Sequence, residues 1–482
     1  MKVLLIEPNF EGYVLMPTMS LAVLKGYVNK RTKHKAKIVD MIFHRKTWKG
    51  MLYKEIEKEK PDLIGLSVLS FNYAQALEIA KFIKERFEIK IIFGGVHIIL
   101  SPEEVISEKC VDIICTGEGE RVLEDLLNNN LNCENVKGIW YKCDGKTIRN
   151  NPRRLIEKLD ELPFPEWDDF DLDKYFLISN NHLPIMASRG CPYNCTYCSN
   201  HALKKKLKGK YVRFRSVDNV IEEIEMRIKQ YYSKGMKYLF FYDDTFIMYE
   251  DFILEFCKKF KERGFDKLIK WNANVRANLV TEGIITAMKS AGCYEVRMGV
   301  EAGNDYIRNK IYKRNMNEEQ IKNAIRIIKR HGLQLRLQFI LGAPYESIEM
   351  MEESFEMAKN SGADYVLFPI LMPLPATEIK EMCEKEGLIE RGRFKNFHDM
   401  FLNPVVRTKF ASSKQIKSIV KKIRNYQIKK AIKEGFLLGG PMFLFDSLIF
   451  LLYYKKKYGL EIDHAFRFTI NKYKLRKINE EN

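Results

Sequence analysis

The chain lacks two features that would place it in common classes of protein. No G-x-G-x-x-G motif follows the first predicted strand, VLLIEP, so a Rossmann dinucleotide site is unsupported. The opening residues, MKVLLIEPNFEG, contain no long apolar stretch of the kind found in secretory signals, and we expect a cytoplasmic protein. In a reducing compartment, ten cysteines are better explained as metal ligands, catalytic groups or buried thiols than as disulfides.

Acidic residues are also in short supply. The chain has 63 acidic and 81 basic residues, which gives a net charge of +18 over 482 residues. A hydrophobic content of 46% excludes a disordered chain, and the length predicts more than one domain. Because the lysines are spread over predicted helices and not gathered in one arm, we expect no nucleic-acid partner. A solvated surface and an anionic small molecule or lipid remain as explanations of the charge.

The first part of the chain, residues 1–144, alternates short apolar runs with helical patterns and predicts a doubly wound, Rossmann-like α/β domain. The runs are VLLIEP, AKIVDMI, LIGLSVL, KIIFGGV and DIICTG. Small residues follow three of them, at the strand ends where open α/β sheets bind ligands, although the same glycines can serve only as tight turns. Residues 145–182 are charged and rich in proline, and we expect them to form a linker that lies across a surface.

Residues 183–400 resume the α/β alternation and predict a partial (β/α)6 barrel of the TIM type. The candidate strands are PIMASRG, YLFFYDD, IKWNANV, YEVRMGV, LRLQFILG and YVLFPILM. Asn317, followed by Gln320 three residues later, predicts a capped helix start. Chemistry in such barrels lies at the carboxyl ends of the strands. Residues 401–482 are predicted to form a helical, basic and apolar C-terminal region.

Three cysteines, Cys191, Cys195 and Cys198, lie within eight residues in ASRGCPYNCTYCSN, directly after a predicted barrel strand. Thiolates at this spacing can share a soft metal centre, either zinc or iron–sulfur. Structural zinc takes four protein ligands, and His201 is near enough in sequence to complete such a site. The C-x3-C-x2-C spacing favours a four-iron cluster held by three thiolates, which leaves one iron open. The other seven cysteines have no ligand spacing and are expected to be buried thiols.

Four further motifs follow the cysteines in a regular order: FFYDDTF (240–246), GVEAGND (299–305), FILGAPYES (339–347) and PLPATEI (373–379). Together with the cysteine triplet, they resemble the radical S-adenosylmethionine (SAM) enzymes that carry an N-terminal cobalamin-binding domain. The resemblance implies a [4Fe–4S] cluster on the three cysteines, with SAM chelated at the open iron. An external one-electron reductant of the ferredoxin or flavodoxin type would supply the electron that cleaves SAM to a 5′-deoxyadenosyl radical.

The resemblance also implies which residues bind SAM. Glu301 is expected to bind the amino group, because a carboxylate neutralises an ammonium; an ordinary carboxylate at the rim is the alternative. Asp243 is expected to face the site, and since adjacent strand residues point to opposite sides, Asp244 would then face away. Further expected contacts are Tyr197, Asn274 and Arg276, the last two as ribose or carboxylate ligands or as a structural pair, and Gly342 beside the adenine.

In the first domain the resemblance implies bound cobalamin. Its expected contacts are Ser67, Ser70, Gly94, Gly95, Gly117 and Glu118. The D-x-H-x-x-G motif that supplies an axial histidine in other cobalamin proteins is absent, because the histidine nearest after Asp40 is His44. Histidine ligation through that motif is therefore not expected. The same departure leaves open a degenerate domain that binds no corrinoid.

The predicted function is cobalamin-dependent methylation of an unactivated carbon, in which one SAM supplies the radical and a second supplies the methyl group. Radical cyclisation, carbon–carbon coupling or oxidation is an alternative, as is a basic RNA-associated or scaffold protein with structural zinc. The apolar run at 436–454 is flanked by lysines. It predicts peripheral membrane contact, and with it a lipid or isoprenoid substrate, or else a helix hairpin packed on the barrel.

Overall fold

The structure, a computed structural model, describes residues 1–10, 16–390 and 399–450. Its first sheet has seven strands in the order β2-β1-β3-β4-β5-β6-β7. The strands are β1 Lys2–Glu7, β2 Lys35–Asp40, β3 Leu63–Ser67, β4 Lys90–Gly94, β5 Ile113–Cys115, β6 Ile139–Cys143 and β7 Lys146–Arg149. The helices are α1 Met19–Arg31, α2 Trp48–Glu59, α3 Tyr73–Lys84, α4 Val96–Leu100, α5 Pro102–Ser107 and α6 Glu120–Asn128.

The predicted doubly wound sheet is confirmed in its first five strands, which are all parallel. Helices cover both faces, so the apolar runs are buried throughout: in β1 the side chains from Val3 to Ile6 are at most 2% exposed. Strands β6 and β7 form an antiparallel hairpin that the sequence analysis missed. Its turn is Asp144-Gly145, both at positive φ, so the sheet runs through the predicted domain boundary at residue 144 and ends at Arg149.

The segment predicted as a linker joins the two halves of the molecule. It contains the helix α7 Leu172–Ile178. The side chains of Trp167 and Tyr175 are at most 2% exposed and belong to a core that includes residues of both sheets. Lys25 of α1 lies 2.8 Å from Asp168 and 2.7 Å from Asp169. The linker is thus packed on the first domain through apolar and ionic contacts.

The second half of the chain confirms the six predicted barrel strands. They are parallel, in the order β15-β14-β13-β12-β11-β8, and their bounds are β8 His182–Ile185, β11 Tyr238–Phe241, β12 Lys270–Val275, β13 Cys293–Glu301, β14 Gln334–Phe339 and β15 Tyr365–Leu367. A short antiparallel pair, β9 Ser188–Arg189 and β10 Arg213–Phe214, lies between β8 and β11 in sequence. The helices are α8 Ser199–Lys206, α9 Val217–Tyr231, α10 Glu250–Glu262, α11 Glu282–Ser290, α12 Glu318–Arg330, α13 Ile348–Asn360 and α14 Glu378–Lys385.

Side chains of the barrel strands alternate between the helix layer and the barrel interior. In β14, Leu335, Leu337 and Phe339 pack in the main hydrophobic core, and the residues between them point into the barrel. The predicted start of α12 is confirmed as a capping box, in which the Asn317 side chain accepts from the Gln320 backbone N–H at 2.8 Å and Gln320 accepts from the Asn317 N–H at 3.0 Å.

The C-terminal region is helical in the part described, with α15 Asp399–Leu402 and α16 Ser413–Phe450. Within residues 1–10, 16–390 and 399–450, no helix combines the length and the apolar character needed to cross a bilayer. The run at 436–454 falls at the end of α16, where side chains are not described, and its last four residues lie outside the described chain. Membrane contact through this run stays a prediction.

Candidate active site

The three clustered cysteines lie in a loop at the carboxyl end of β8. The loop begins at Gly190, whose φ is +87°, and a Cβ there would lie 2.4 Å from the carbonyl oxygen of Tyr211. Only glycine fits this turn without displacing the backbone. Thr196 ties the centre of the loop to the backbone at Ile311 by a hydrogen bond, in which its hydroxyl donates to the Ile311 carbonyl at 2.6 Å. Cys198 ends the loop as the N-cap of α8.

Hydrogen-bond donors and cations surround the sulfur atoms. Arg314 Nη1 lies 3.4 Å from the Cys195 Sγ, and Arg276 Nη1 lies 4.0 Å from it. The backbone N–H of Asn200 donates to the Cys198 Sγ at 3.5 Å. Burial raises the pKa of Cys198 to about 12 and raises that of Cys191. Metal coordination would deprotonate these thiols, and the nearby donors suit the resulting thiolates, so the residues fit an iron–sulfur cluster.

The zinc hypothesis fails at its fourth ligand. The His201 Nδ1 lies 2.7 Å from the Cys198 carbonyl oxygen, and its Nε2 accepts from the Glu378 backbone N–H at 3.2 Å. Both ring nitrogens are therefore occupied. In the part of the chain that the structure describes, no three His, Cys, Asp or Glu side chains converge as ligands of one metal ion.

Two adjacent carboxylates follow β11, and they point to opposite sides as predicted. Asp243 is 1% exposed, and its oxygens accept from the Ala187 N–H at 3.0 Å and from the Ser188 hydroxyl. Burial raises the pKa of Asp243 to about 6. Asp244 is exposed, accepts a hydrogen bond from Asn200, and its charge helps to raise the pKa of Cys191 and Cys198. The carboxylate beside the cysteines is therefore Asp244, which was expected to face away, whereas Asp243, which was expected to face the site, supports the root of their loop. The predicted contact of Asp243 with SAM stays a prediction.

Glu301 and Arg314 form a second group at the mouth of the barrel. Glu301 lies at φ +74° at the end of β13, and its Oε1 is 3.8 Å from Arg314 Nη2. Burial raises the pKa of Glu301, although Arg314 and a hydrogen bond from Tyr197 oppose the rise. Arg314 was not singled out from the sequence, because no motif or spacing marks it. It lies 119 residues after Cys195 in the chain, and the fold brings the two side chains together.

Two predicted SAM ligands are engaged by the protein itself. Arg276 is 3% exposed, donates from Nε to Asn278 at 2.8 Å, and donates from Nη2 to the Arg314 carbonyl. Its guanidinium also stacks 3.7 Å from the ring of Tyr193. The Asn274 amide donates to the Asp243 carbonyl at 2.9 Å. These contacts agree with the structural alternative for Arg276 and Asn274, and their predicted contacts with SAM stay predictions.

Gly342 follows β14 at φ +92° and is held by a buried acid that was not singled out from the sequence. Glu346 Oε2 accepts from the backbone N–H groups of Gly342 at 2.6 Å and Ala343 at 3.1 Å. The Glu346 Oε1 is buried and has no hydrogen-bond partner within the described residues. Burial raises the pKa of Glu346 to about 8. The neutral acid therefore shapes the Gly342 turn at pH 7.

Changing Glu346 to Gln should flatten the pH dependence of stability. Between about pH 5 and 8 the folded state holds a proton on Glu346 that the unfolded state has lost, so the free energy of unfolding falls as pH rises. The slope from one group is about 1.4 kcal/mol per pH unit. Because Glu7, whose pKa is raised to about 8, adds its own slope, the measure is the difference between the wild-type and E346Q denaturation curves. Parallel curves would contradict the assignment, and E349Q serves as the control.

The predicted cobalamin contacts gather at the carboxyl ends of three neighbouring strands. Ser67 ends β3, Gly94 ends β4, and Gly117 lies two residues after β5. These small residues leave room at one edge of the sheet, which fits the nucleotide tail of a corrinoid. Ser70 lies 3.0 Å from His97 Nδ1, so it belongs to the same edge. His44, the histidine nearest after Asp40, lies in the loop between β2 and α2, four residues past the end of β2.

Gly95 is required by the protein backbone. Its φ is +104°, and a Cβ would lie 2.6 Å from the Val68 carbonyl oxygen. Changing Gly95 to Ala should lower the free energy of unfolding by about 1–3 kcal/mol, because strain and the clash act together. Gly145, at φ +72° with nothing within 4 Å, is the control, because an alanine there has backbone strain but no steric clash. Equal losses for G95A and G145A in chemical denaturation would show that the Val68 contact is unimportant.

Glu118 links the first sheet to the barrel. Its Oε1 accepts from Arg189 at 2.8 Å and from Arg213 at 3.0 Å, and its Oε2 accepts from the Ile156 N–H at 2.8 Å. Burial raises the pKa of Glu118, but the two guanidiniums outweigh burial and hold it below the usual range. The structure thus shows Glu118 engaged with the linker and barrel, and its predicted contact with cobalamin stays a prediction.

Two family models match the chain. The radical SAM superfamily matches residues 185–358, and the B12 binding domain matches residues 11–127. Among curated proteins, the uncharacterized methyltransferase PH0819 of Pyrococcus horikoshii is 32% identical over 88% of this chain and 91% of its own length. The cytidylyl-2-hydroxyethylphosphonate methyltransferase of Streptomyces wedmorensis is 26% identical over 70% of each chain.

Solved structures agree on the fold. OxsB, a cobalamin-dependent SAM radical enzyme solved with aqua-cobalamin and SAM, superposes with a TM-score of 0.69 at 19% identity, over 100% of this chain and 80% of its own. The radical SAM methyltransferase TsrM of Kitasatospora setae superposes with a TM-score of 0.68 at 17% identity, over 80% of this chain and 76% of its own. With the cysteine loop, the two-domain architecture and the level of identity to PH0819, these matches give one conclusion: the chain belongs to the family of cobalamin-dependent radical SAM methyltransferases.

Proposed function

We propose that this enzyme methylates an unactivated carbon of a small-molecule or lipid substrate at the mouth of its barrel. One observation carries the proposal: the cysteine loop and the edge of the first sheet meet there. Helix α4 packs against α8, which begins at Cys198, through Val96, Leu100 and Leu203. The carboxyl edges of the two sheets therefore lie on either side of one space.

Within the proposed site, the two carboxylates have different partners. Asp244 is exposed beside Cys191 and Cys198 and has no cation bound to it in the described residues, so it is suited to the ammonium of SAM. Glu301 already faces Arg314 and is better suited to accept from a hydroxyl, such as those of the ribose. This proposal moves the amino-group contact from Glu301, where the sequence placed it, to Asp244.

The cofactors would supply the reactive chemistry: a reduced cluster on the three cysteines cleaves SAM, and cobalamin carries a methyl group. The chain itself positions them. Arg314 and Arg276 place N–H groups 3.4 Å and 4.0 Å from the Cys195 sulfur, where they would donate to a sulfur bound to iron. The small residues at the ends of β3, β4 and β5 would receive the corrinoid, without a D-x-H-x-x-G histidine after Asp40.

A lipid or isoprenoid substrate remains part of this proposal. Its support is the apolar run at 436–454 with its flanking lysines, which would place the enzyme at a membrane surface while the rest of the chain stays in the cytoplasm. Liposome sedimentation of the full chain and of a chain ending at residue 430 tests the idea. Loss of binding on truncation would support it, and an unchanged partition would count against it.

The function is tested by anaerobic purification with cobalamin supplied, followed by iron, sulfide and cobalt analysis. We expect about four iron and one cobalt per chain, with 5′-deoxyadenosine formed when a one-electron reductant and SAM are added. A product heavier by one methyl group supports methylation. A product that has lost hydrogen supports cyclisation or oxidation, and a methylated product formed by cobalt-free protein would overturn the role of cobalamin.

A further inference from the structure

The interior of the barrel holds two arginines in the same row. Arg297 of β13 and Arg336 of β14 are register partners, and Asn274 and Tyr365 extend the row on either side. Strand alternation points all four side chains inward, because their neighbours Val296, Met298, Leu335 and Leu337 pack in the core beneath the helices. The row lies four residues below Glu301, or about 13 Å deeper than the mouth.

One carboxylate closes the barrel beneath these arginines. Glu295 accepts from Arg297 Nε at 2.8 Å and from Arg336 Nη2 at 3.1 Å. Its side chain is 3% exposed, whereas Arg297 and Arg336 are 17% and 20% exposed. The barrel is therefore open to solvent down to the arginine row and closed at Glu295.

The charges in the barrel do not balance. Burial would raise the pKa of Glu295, but Arg336 and Arg297 lower it to about 2, so it is ionised. His182, below the arginine row, is neutral at pH 7 because burial lowers its pKa to about 4. Glu7, whose charge would act on Tyr242 after β11, is protonated at pH 7 because burial raises its pKa to about 8. Two guanidiniums thus share one carboxylate, and one positive charge is left over.

Much of the donor capacity of the arginines is unused. Arg336 Nε is buried without a hydrogen-bond partner among the described residues. Of the nitrogens of Arg297, only Nε donates to a group in the described chain. Its guanidinium lies 4.0 Å from the Phe240 ring, and that of Arg336 lies 5.3 Å from the Tyr365 ring. Each guanidinium thus lies against an aromatic ring, and its N–H groups that do not contact Glu295 can bind an oxyanion, which a guanidinium binds in a bidentate manner.

We propose that Arg297 and Arg336 bind an acidic group of the substrate, a carboxylate or a phosphate monoester, inside the barrel. The inference rests on the proposed function, since it assumes that the reacting carbon lies at the mouth. An acid held in the arginine row places carbon about 13 Å away at the mouth, beside the cysteine loop. The enzyme would then select substrates that carry an acidic group at about that distance from the methylated carbon.

The test is calorimetric titration of methyl phosphate and of acetate into the reconstituted full-length enzyme with saturating SAM. We expect one saturable site. The acid of the kind that the substrate carries should bind this site at least tenfold more tightly than the other acid. R297Q and R336Q should each weaken it ten- to a hundredfold, and R336K, which keeps the charge, should weaken it less. E295Q should bind the anion more tightly, because the guanidiniums no longer share a carboxylate.

The exposed Arg263, paired with Glu225, provides the control R263Q, which should titrate like the wild type. The proposal would be overturned if all variants bound the anion equally or if E295Q bound it more weakly than the wild type. It would also be overturned if SAM abolished anion binding, and that result would assign the arginines to SAM itself. Wild-type SAM cleavage is measured on the same sample. Failure of that cleavage would remove the proposed function, whereas failure of the titration with cleavage intact would remove only the acid site.

Discussion

Replacing Cys191, Cys195 and Cys198 together with alanine is expected to abolish both iron binding and SAM cleavage. The three cysteines share one loop, and N–H groups of Arg314 and Asn200 lie 3.4 Å and 3.5 Å from the sulfur atoms of Cys195 and Cys198. Losing all the ligands of a metal centre leaves nothing to hold it, so iron per chain and 5′-deoxyadenosine should both fall to background. Iron analysis and product chromatography on anaerobic protein measure the two quantities.

The control for this variant is C257A. Cys257 is 2% exposed in the helix α10 and packs in the core. The C257A variant loses a buried thiol, but its cysteine loop is unchanged. This variant should therefore keep its iron and its SAM cleavage. Iron retained by the triple variant, or lost equally by C257A, would contradict the assignment of the cluster to the loop.

Changing Glu118 to Ala is expected to lower the free energy of unfolding by about 3–5 kcal/mol. The change leaves the guanidinium of Arg213, which is 4% exposed, without a carboxylate, whereas Arg189 keeps Glu120 at 2.6 Å. Removing one partner of a buried ion pair costs this much because the charge left on Arg213 is neither paired with a carboxylate nor hydrated. Chemical denaturation at pH 7 measures the loss.

The matched control for Glu118 is Glu225, an acid that also contacts two cations, Lys229 and Arg263, but at the surface. E225A should leave stability nearly unchanged, because exposed ion pairs are screened by water. The wild-type advantage over E118A should shrink as pH falls below about 4, where the unfolded carboxyl, and then the folded one, becomes protonated. A loss as small as that of E225A would show that this contact between sheet and barrel is dispensable.

The strand pattern of both sheets could be predicted from the sequence because parallel strands buried on both faces are continuous apolar runs. The runs VLLIEP and LRLQFILG marked β1 and β14 for this reason. The hairpin of β6 and β7 was missed because its exposed strand, KTIR, is polar. Its turn residues, Asp144 and Gly145, were a usable signal that the analysis placed at a domain boundary instead.

The residues of the candidate site were likewise predicted only in part. The cysteine triplet is local in sequence and was found, and alternation correctly separated Asp243 from Asp244. Which of the two lies beside the cysteines depends on the twist of β11 and on Asn200, which sequence alone does not show. Arg314 comes from a different part of the chain than the cysteines it contacts, and the pairing of Arg297 with Arg336 depends on strand register. Long-range contacts of this kind leave no pattern in a single sequence.

The most direct test is electron paramagnetic resonance of the reduced, anaerobically reconstituted enzyme before and after SAM is added, with iron and sulfide counted on the same sample. Three thiolates on a four-iron cluster predict about four iron and four sulfide per chain and a spectrum that shifts when SAM binds the open iron. Protein without iron, or a cluster whose spectrum is the same with and without SAM, would contradict a site built on Cys191, Cys195 and Cys198.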